Sequence, residues 1–128
     1  MASSDCLRVL LVEDESLVAL MLEDMLQDLG HHVVATANTL AQALSIAQSG
    51  EFDIAFLDIN INDQPSYPAA VALKQRGVPF VFTTGYGAYG LAPEFRDAHV
   101  LAKPFSQSAL ADMITKLRAD GSASEQPE

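Results

Sequence analysis

Cysteine, positive charge and long apolar runs are all scarce in this sequence. Cys6 is the only cysteine among 128 residues, so no disulfide can form within the chain and we expect a reducing compartment. No stretch approaches the ~20 apolar residues that a membrane-spanning helix needs. Residues 1–5 carry no basic region ahead of an apolar stretch, so we expect no signal peptide. These features predict a cytoplasmic protein without a membrane partner.

The charge balance is strongly acidic. Seven lysines and arginines stand against 17 aspartates and glutamates, which gives a net charge of −10. Phosphate backbones are bound by clustered lysines and arginines, so this balance argues against a nucleic-acid partner. Hydrophobic residues make up 49% of the chain, and its length suits one domain with a core of its own.

Strand-like apolar runs alternate with helical patterns along the chain. Such alternation is typical of parallel strands joined by right-handed crossovers. We predict an α/β fold, namely a doubly wound, flavodoxin-like three-layer sandwich with a five-stranded parallel sheet in the order 2-1-3-4-5. Residues 1–118 form this single domain and 119–128 a flexible polar tail. The predicted strands are 7–12, 32–37, 52–58, 79–84 and 100–102, and the predicted helices are 16–29, 40–49, 69–75, 94–97 and 107–118.

The first helix has an apolar stripe, and two loops separate later elements. We expect Val18, Met21, Leu22, Met25 and Leu29 to share the inward face of that helix. Residues 59–68 are rich in asparagine, aspartate and proline, which predicts a loop. Residues 85–93 contain three glycines and a proline, which predicts an exposed and mobile loop.

Polar residues follow the apolar runs where buried strands would end. Glu13 and Asp14 follow the first strand, Asp58 ends the third, Thr84 ends the fourth and Lys103 follows the fifth. Open parallel sheets bind ligands at the carboxyl ends of their strands, beside the switch point. An acidic pair alone is also common in the first turn of a solvated helix. Together with Asp58, however, the pair predicts a shared site.

Three converging carboxylates require a cation. Two unit charges about 4 Å apart repel by about 4 kcal/mol at an effective dielectric of about 20. Oxygen ligands with open water positions suit Mg²⁺, and the backbone carbonyl of Asn60 could add another ligand. We therefore predict a Mg²⁺ site formed by Glu13, Asp14, Asp58 and Asn60.

The remaining groups suit phosphoryl transfer. Asp58 can act as a nucleophile that forms an aspartyl-phosphate, and Lys103 can supply positive charge to the phosphoryl group. Thr84, in preference to Thr83, can donate its hydroxyl to a phosphoryl oxygen. Pro104 restricts the preceding lysine to extended backbone, which restrains its direction. A surface lysine and a satisfied strand end are the plainer interpretations of Lys103 and Thr84.

These motifs resemble the receiver domain of two-component response regulators, a CheY-like family, over residues 7–118. The resemblance implies phosphoryl transfer from a sensor histidine kinase or a histidine phosphotransfer protein, with bound Mg²⁺ and an unknown downstream protein. It implies a signalling domain rather than an enzyme. The family's motifs are matched by the acidic pair Glu13-Asp14, the phosphoacceptor Asp58, the switch hydroxyl of Thr84 and the sequence Lys103-Pro104-Phe105.

The chain also departs from the usual pattern of that family. Receivers usually carry an aromatic switch residue three positions before the lysine, where this chain has Val100 beside His99. The usual proline and glycine after the phosphoacceptor are missing. Residues 79–87 resemble a subgroup with a Phe-Ala-Thr-Gly-Tyr-type motif, commonly stand-alone receivers without the aromatic switch and often paired with HWE-type kinases. Tyr86 and Tyr89 are candidate readout residues in that case.

Three functions are compatible with these residues. A stand-alone receiver would signal by protein contact, pass its phosphoryl group on in a relay, or act as a phosphate sink. A haloacid-dehalogenase-like phosphatase would use the same chemical groups, but it places its nucleophile after the first strand and a second aspartate two residues later, where this chain has Asn60. A pseudo-receiver would keep the fold as a binding module without phosphorylation.

Overall fold

The computed structural model describes the backbone of residues 6–85 and 91–125 and the side chains of 6–85 and 91–119. Its main sheet is five-stranded and parallel, in the order β2-β1-β3-β4-β5. This confirms the predicted doubly wound, flavodoxin-like fold. The strands are β1 (Arg8–Val12), β2 (His32–Ala37), β3 (Ile54–Asp58), β4 (Phe80–Thr84) and β5 (His99–Ala102). The helices are α1 (Ser16–Asp28), α2 (Leu40–Ser49), α3 (Tyr67–Arg76) and α4 (Gln107–Glu125), and Pro93–Phe95 forms a 3-10 turn.

Both faces of the sheet are covered, which explains the uninterrupted apolar runs of the central strands. One face of the sheet packs against α2 and α3, and the other packs against α1 and α4. Four consecutive residues are buried in β1 and four in β3. α4 buries four apolar residues against the sheet: Leu110, Met113, Ile114 and Leu117.

Local signals begin and end the helices. α1 stops at Gly30, whose φ of 91° lies in the left-handed region that glycine adopts readily. Thr39 caps α2, because its Oγ1 accepts a hydrogen bond from the N–H of Gln42 at 3.1 Å. Ser106 caps α4 in the same way through the N–H of Ala109 at 3.0 Å.

Several predicted details are wrong. The inward stripe of α1 is rotated, because Leu22 and Leu26 are buried while Met21 is 55% exposed. α3 begins at Tyr67 rather than 69, since a proline at the start of a helix gives up only an N–H that would be unpaired anyway. α4 continues to Glu125 rather than ending at 118, and no proline occurs between Gln107 and Gln126 to stop it. Helical backbone thus extends into the predicted tail, whose flexibility stays a prediction.

The predicted loop 59–68 contains a short antiparallel hairpin. Asn60–Ile61 pairs with Gln64–Pro65, and the two turn residues between them, Asn62 and Asp63, have φ values of 52° and 66°. Asparagine and aspartate tolerate this left-handed conformation, which two-residue hairpin turns require. The usual proline and glycine are therefore replaced by a tight turn. We refer to residues 60–65 as the site hairpin.

Two further observations limit the remaining predictions. Within the described residues, no helix combines enough length with enough apolar character to span a bilayer. Residues 86–90 of the predicted mobile loop, with Tyr86 and Tyr89, lie outside the described residues.

Candidate functional site

The carboxyl edge of the sheet brings the predicted residues together. Asp58 ends β3 and Thr84 ends the adjacent β4, while Glu13-Asp14 and Lys103 follow β1 and β5 directly. One cavity at this edge is lined by Asp14, Glu15, Asp58, Asn60, Asp63, Thr84, Gly85 and Lys103.

Lys103 links two of the carboxylates. Its Nζ lies 2.9 Å from Oδ2 of Asp58 and 3.0 Å from Oε1 of Glu13. The side chain of Lys103 is 20% exposed and that of Asp58 is 15% exposed. The lysine is therefore no surface residue, and its ammonium group lies within the site. The Lys103-Pro104 peptide bond that follows it is cis.

Glu13 is the most deeply buried of the acidic groups, with 3% of its side chain exposed. Burial raises the pKa of this carboxyl, and hydrogen bonds from Lys103 and from the N–H of Glu15 oppose the effect without cancelling it. Burial alone would lower the pKa of Lys103, but its hydrogen bonds to Asp58 and Glu13 outweigh burial and leave that pKa raised. The ammonium thus stays charged and stabilises both carboxylates.

The site hairpin contacts the remaining carboxylates through its backbone. The N–H of Asn62 donates to Oδ2 of Asp14 at 2.8 Å, and the N–H of Asn60 donates to Oδ1 of Asp58 at 3.2 Å. The Asn62 side chain also donates to the carbonyl of Asn38 at 3.1 Å, in the connection between β2 and α2. The hairpin therefore bridges three connections at the switch point.

The three carboxylates fit a hard cation. Glu13, Asp14 and Asp58 each offer an oxygen, and these oxygens all lie within 4.8 Å of one another. An all-oxygen donor set of this kind, open on the cavity side, suits Mg²⁺. Asn60 lines the same cavity, but the role of its carbonyl as a ligand stays a prediction.

The two threonines of β4 are both buried, but they differ in position. Thr83 lies beside Asp58 in the strand register, and its carbonyl accepts a hydrogen bond from Ile59. Thr84 lines the cavity, and its carbonyl accepts from the N–H of Lys103 at 2.8 Å. Thr84 thus lies at the cavity, and the role of its hydroxyl stays a prediction.

The position of the usual aromatic switch is held by a partly buried valine. Val100 is the register partner of Phe82 and packs against the core on the α2–α3 face. His99 begins β5, and it lies at the opposite end of the strand from the site.

The sequence analysis missed the site hairpin and the residues Glu15, Asn62 and Asp63. The Asn62-Asp63 dipeptide is a turn signal that favours left-handed backbone, so its turn could have been anticipated. Asn62 and Asp14 are 48 residues apart in sequence, so no local pattern indicates that they are in contact.

Comparisons with known proteins agree with this geometry. The family model described as "Response regulator receiver domain" matches residues 9–115. The phyllosphere-induced regulator PhyR of Methylorubrum extorquens is 33% identical over 120 residues, which cover 91% of this chain and 45% of PhyR. The chain spans about half the length of the curated relatives it matches.

Two solved structures of one protein are similar in fold and sequence. The solution structure of SdrG from Sphingomonas melonis Fr1 has a TM-score of 0.78 at 42% identity and covers 87% of this chain and 95% of SdrG. SdrG in its BeF3-activated conformation, from Pseudomonas melonis Fr1, has a TM-score of 0.73 at 41% identity, with 86% and 94% of the two chains covered. This chain is thus similar to bacterial response regulators.

Proposed function

The chain belongs to the response regulator receiver domain family, and on that premise we propose that it accepts a phosphoryl group on Asp58. The donor is a phosphohistidine of a sensor histidine kinase or of a histidine phosphotransfer protein. The reaction takes place in the cytoplasm and depends on Mg²⁺. The receiver family is a family of signalling domains, and the chemistry proposed here is limited to gaining and losing this group.

The observation that carries the proposal is the placement of Lys103 between two carboxylates. Its Nζ contacts Asp58 at 2.9 Å and Glu13 at 3.0 Å, and a third carboxylate oxygen, from Asp14, lies within 4.8 Å of theirs. A carboxylate that lines an open cavity and is paired with an ammonium group has the chemistry of a phosphoryl acceptor rather than of a core residue.

In the transfer, a carboxylate oxygen of Asp58 forms a bond to phosphorus while the bond from phosphorus to the donor imidazole nitrogen breaks. The imidazole leaves with the electron pair of that bond. Lys103 offsets the negative charge of the transferred group, and Thr84 donates its hydroxyl to a phosphoryl oxygen. When bound by Glu13, Asp14 and Asp58, Mg²⁺ supplies the charge that lets these groups and a phosphoryl group share one cavity.

We expect acetyl phosphate with Mg²⁺ to add one phosphoryl group to the wild type and none to Asp58→Asn, because the amide is a poor nucleophile. Intact-protein mass spectrometry checks the mass increase. The matched control is Asp112→Asn, on the exposed side of α4, which should be modified like the wild type.

Other outcomes of this experiment distinguish the alternatives. No mass increase with acetyl phosphate, together with no response to beryllofluoride, would contradict the proposal and favour a pseudo-receiver. Catalytic turnover of small phosphate esters would instead favour a phosphatase.

The donor proposed is a kinase of the HWE type. The segment 79–87 has the Phe-Ala-Thr-Gly-Tyr-type pattern, with Thr83 in the place of alanine. Members of that subgroup lack the aromatic switch, and this chain has Val100 at the switch position. Phosphotransfer from a purified HWE-type kinase should be faster than from a histidine kinase of another type at equal concentration. Equal rates would contradict this assignment.

The output proposed is contact with a downstream protein, with relay of the phosphoryl group and a phosphate sink as the other routes. PhyR of Methylorubrum extorquens is a phyllosphere-induced regulator, which supports a regulatory output here. A relay would pass the phosphoryl group from Asp58 to a second histidine phosphotransfer protein. A phosphate sink would only lose that group to water by hydrolysis.

A further inference from the structure

Tyr67 is linked to two walls of the proposed phosphoryl site, to one through the chain and to the other through a ring contact in β4. The first wall is the site hairpin, which carries Asn60 and Asp63 into the cavity. At the end opposite its turn, the hairpin is closed by a hydrogen bond from the N–H of Ser66 to the carbonyl of Ile59 at 2.7 Å. Tyr67 follows immediately as the first residue of α3.

The second wall is the end of β4, where Thr84 and Gly85 line the cavity. The ring of Tyr67 meets Phe82, two residues before Thr84, edge-on with centroids 5.7 Å apart. It also stacks on Phe95, at 5.2 Å and an interplanar angle of 10°. Its hydroxyl accepts a hydrogen bond from the N–H of Ala92 at 2.8 Å.

Two residues that the Tyr67 ring contacts, Phe82 and Phe95, also contact each other. Phe95 meets Phe82 edge-on at 5.5 Å, so the segment held by the hydroxyl also supports β4 just below Thr84. Aromatic pairs of this geometry contribute beyond the area that they bury. Val100 packs in the same cluster but has neither a ring nor a hydroxyl with which to make such contacts.

We propose that Tyr67 is a positioning residue that holds the site hairpin and Thr84 in a fixed relation across the phosphoryl site. This inference rests on the proposed function, since it concerns how that same site holds a phosphoryl group. The hydroxyl fixes Ala92, the ring fixes Phe82, and the chain connection fixes the hairpin. Loss of the hydroxyl releases the Ala92 side of this arrangement and leaves the chain connection to the hairpin intact. It therefore affects binding of the phosphoryl group, to which Thr84 would donate, more than binding of Mg²⁺, whose proposed ligands follow β1 and β3.

The test is Tyr67→Phe, which keeps the ring contacts and removes only the hydroxyl. Beryllofluoride, a phosphoryl mimic, is titrated in saturating Mg²⁺, and Mg²⁺ is titrated alone in a separate experiment, both followed by amide NMR signals. We expect about two- to tenfold weaker beryllofluoride binding, the equivalent of one neutral hydrogen bond. Mg²⁺ affinity should stay unchanged, and the Ala92 amide signal should shift with beryllofluoride in the wild type and shift less in the variant.

A second variant separates positioning from a general loss of stability. Thr115→Val deletes a hydroxyl that donates to the carbonyl of Ala111 at 3.1 Å, within α4, and should leave both affinities as in the wild type. If Tyr67→Phe lowers the melting temperature but leaves beryllofluoride affinity unchanged, Tyr67 is merely structural and the inference is overturned. If the wild type itself fails to bind beryllofluoride, the proposed function falls and the inference with it.

Discussion

At the scale of single residues, two carboxylates of the site are held together by one ammonium group. Lys103 neutralises a carboxylate that is 3% exposed and another that is 15% exposed. Removing one partner of a buried ion pair typically costs about 3–5 kcal/mol, because the other charge stays buried without compensation. Lys103 is thus a structural residue, in addition to the role proposed for it in phosphoryl transfer.

We expect Lys103→Met to lower the free energy of unfolding by about 2–3 kcal/mol in EDTA, somewhat less than for a fully buried pair since the lysine is partly exposed. Added Mg²⁺ should restore part of the loss, because the cation supplies the missing positive charge to the same carboxylates. Urea denaturation with and without Mg²⁺ measures both effects.

The matched control for this variant is Lys116→Met, at an exposed position of α4, which should change stability little in either condition. Equal losses in the two variants would show that Lys103 does not stabilise the metal-free site.

At the scale of elements, the site hairpin depends on left-handed backbone at two consecutive positions. Asn62, at a φ of 52°, holds its N–H toward Asp14 and its side chain toward Asn38. A residue that resists this conformation would strain the turn and disturb Asp14. Non-glycine residues pay roughly 1–2 kcal/mol in this region, and asparagine is among those that tolerate it.

We expect Asn62→Ala to be about 1 kcal/mol less stable than Asn62→Gly, since both lose the bond to Asn38 but only alanine resists positive φ. The alanine variant should also bind Mg²⁺ more weakly than the glycine variant, because the turn presents its N–H to Asp14. Urea denaturation and Mg²⁺ titration of the two variants provide the measurements. Identical stability in the pair would contradict the role assigned to the turn.

The sequence predicted much at this scale, for a physical reason. Buried parallel strands read as apolar runs, and their carboxyl ends meet at one edge, so Asp14, Asp58 and Lys103 could be placed together before any contact was known. The bond between Lys103 and Glu13 could not be predicted, because it depends on side-chain direction across residues 90 apart. The cluster around Tyr67 was also missed, since no local pattern distinguishes that tyrosine from a loop residue.

At the scale of the whole molecule, an ion pair joins the central strands at the edge opposite the site. Asp53 precedes β3 and accepts hydrogen bonds from the backbone N–H of Arg8 at 2.7 Å and from its guanidinium at 3.1 Å, at the start of β1. Burial alone would raise the pKa of Asp53, but the bonds from Arg8 outweigh it and lower that pKa. The pair therefore contributes stability while Asp53 is ionised.

The sign of the pH dependence follows from this lowered pKa. The unfolded chain binds a proton at Asp53 near pH 3.8, and the folded protein binds it only at a lower pH. We expect Asp53→Asn to be less stable than the wild type above pH 3.8, and the difference to shrink as the pH falls below that value. Denaturation at a series of pH values measures it. A difference that grows on acidification would contradict the assignment.

The order of the site residues along the chain determines how the protein could be divided into two fragments. Glu13, Asp14, Asp58 and Thr84 all precede the connection between β4 and β5, whereas Lys103 follows it. A chain cut in that connection would yield one fragment with the proposed acceptor and another with its ammonium partner. Because neither fragment holds a complete site, phosphorylation of Asp58 would report their reassociation, and the domain could serve as a split reporter of proximity between two fused proteins.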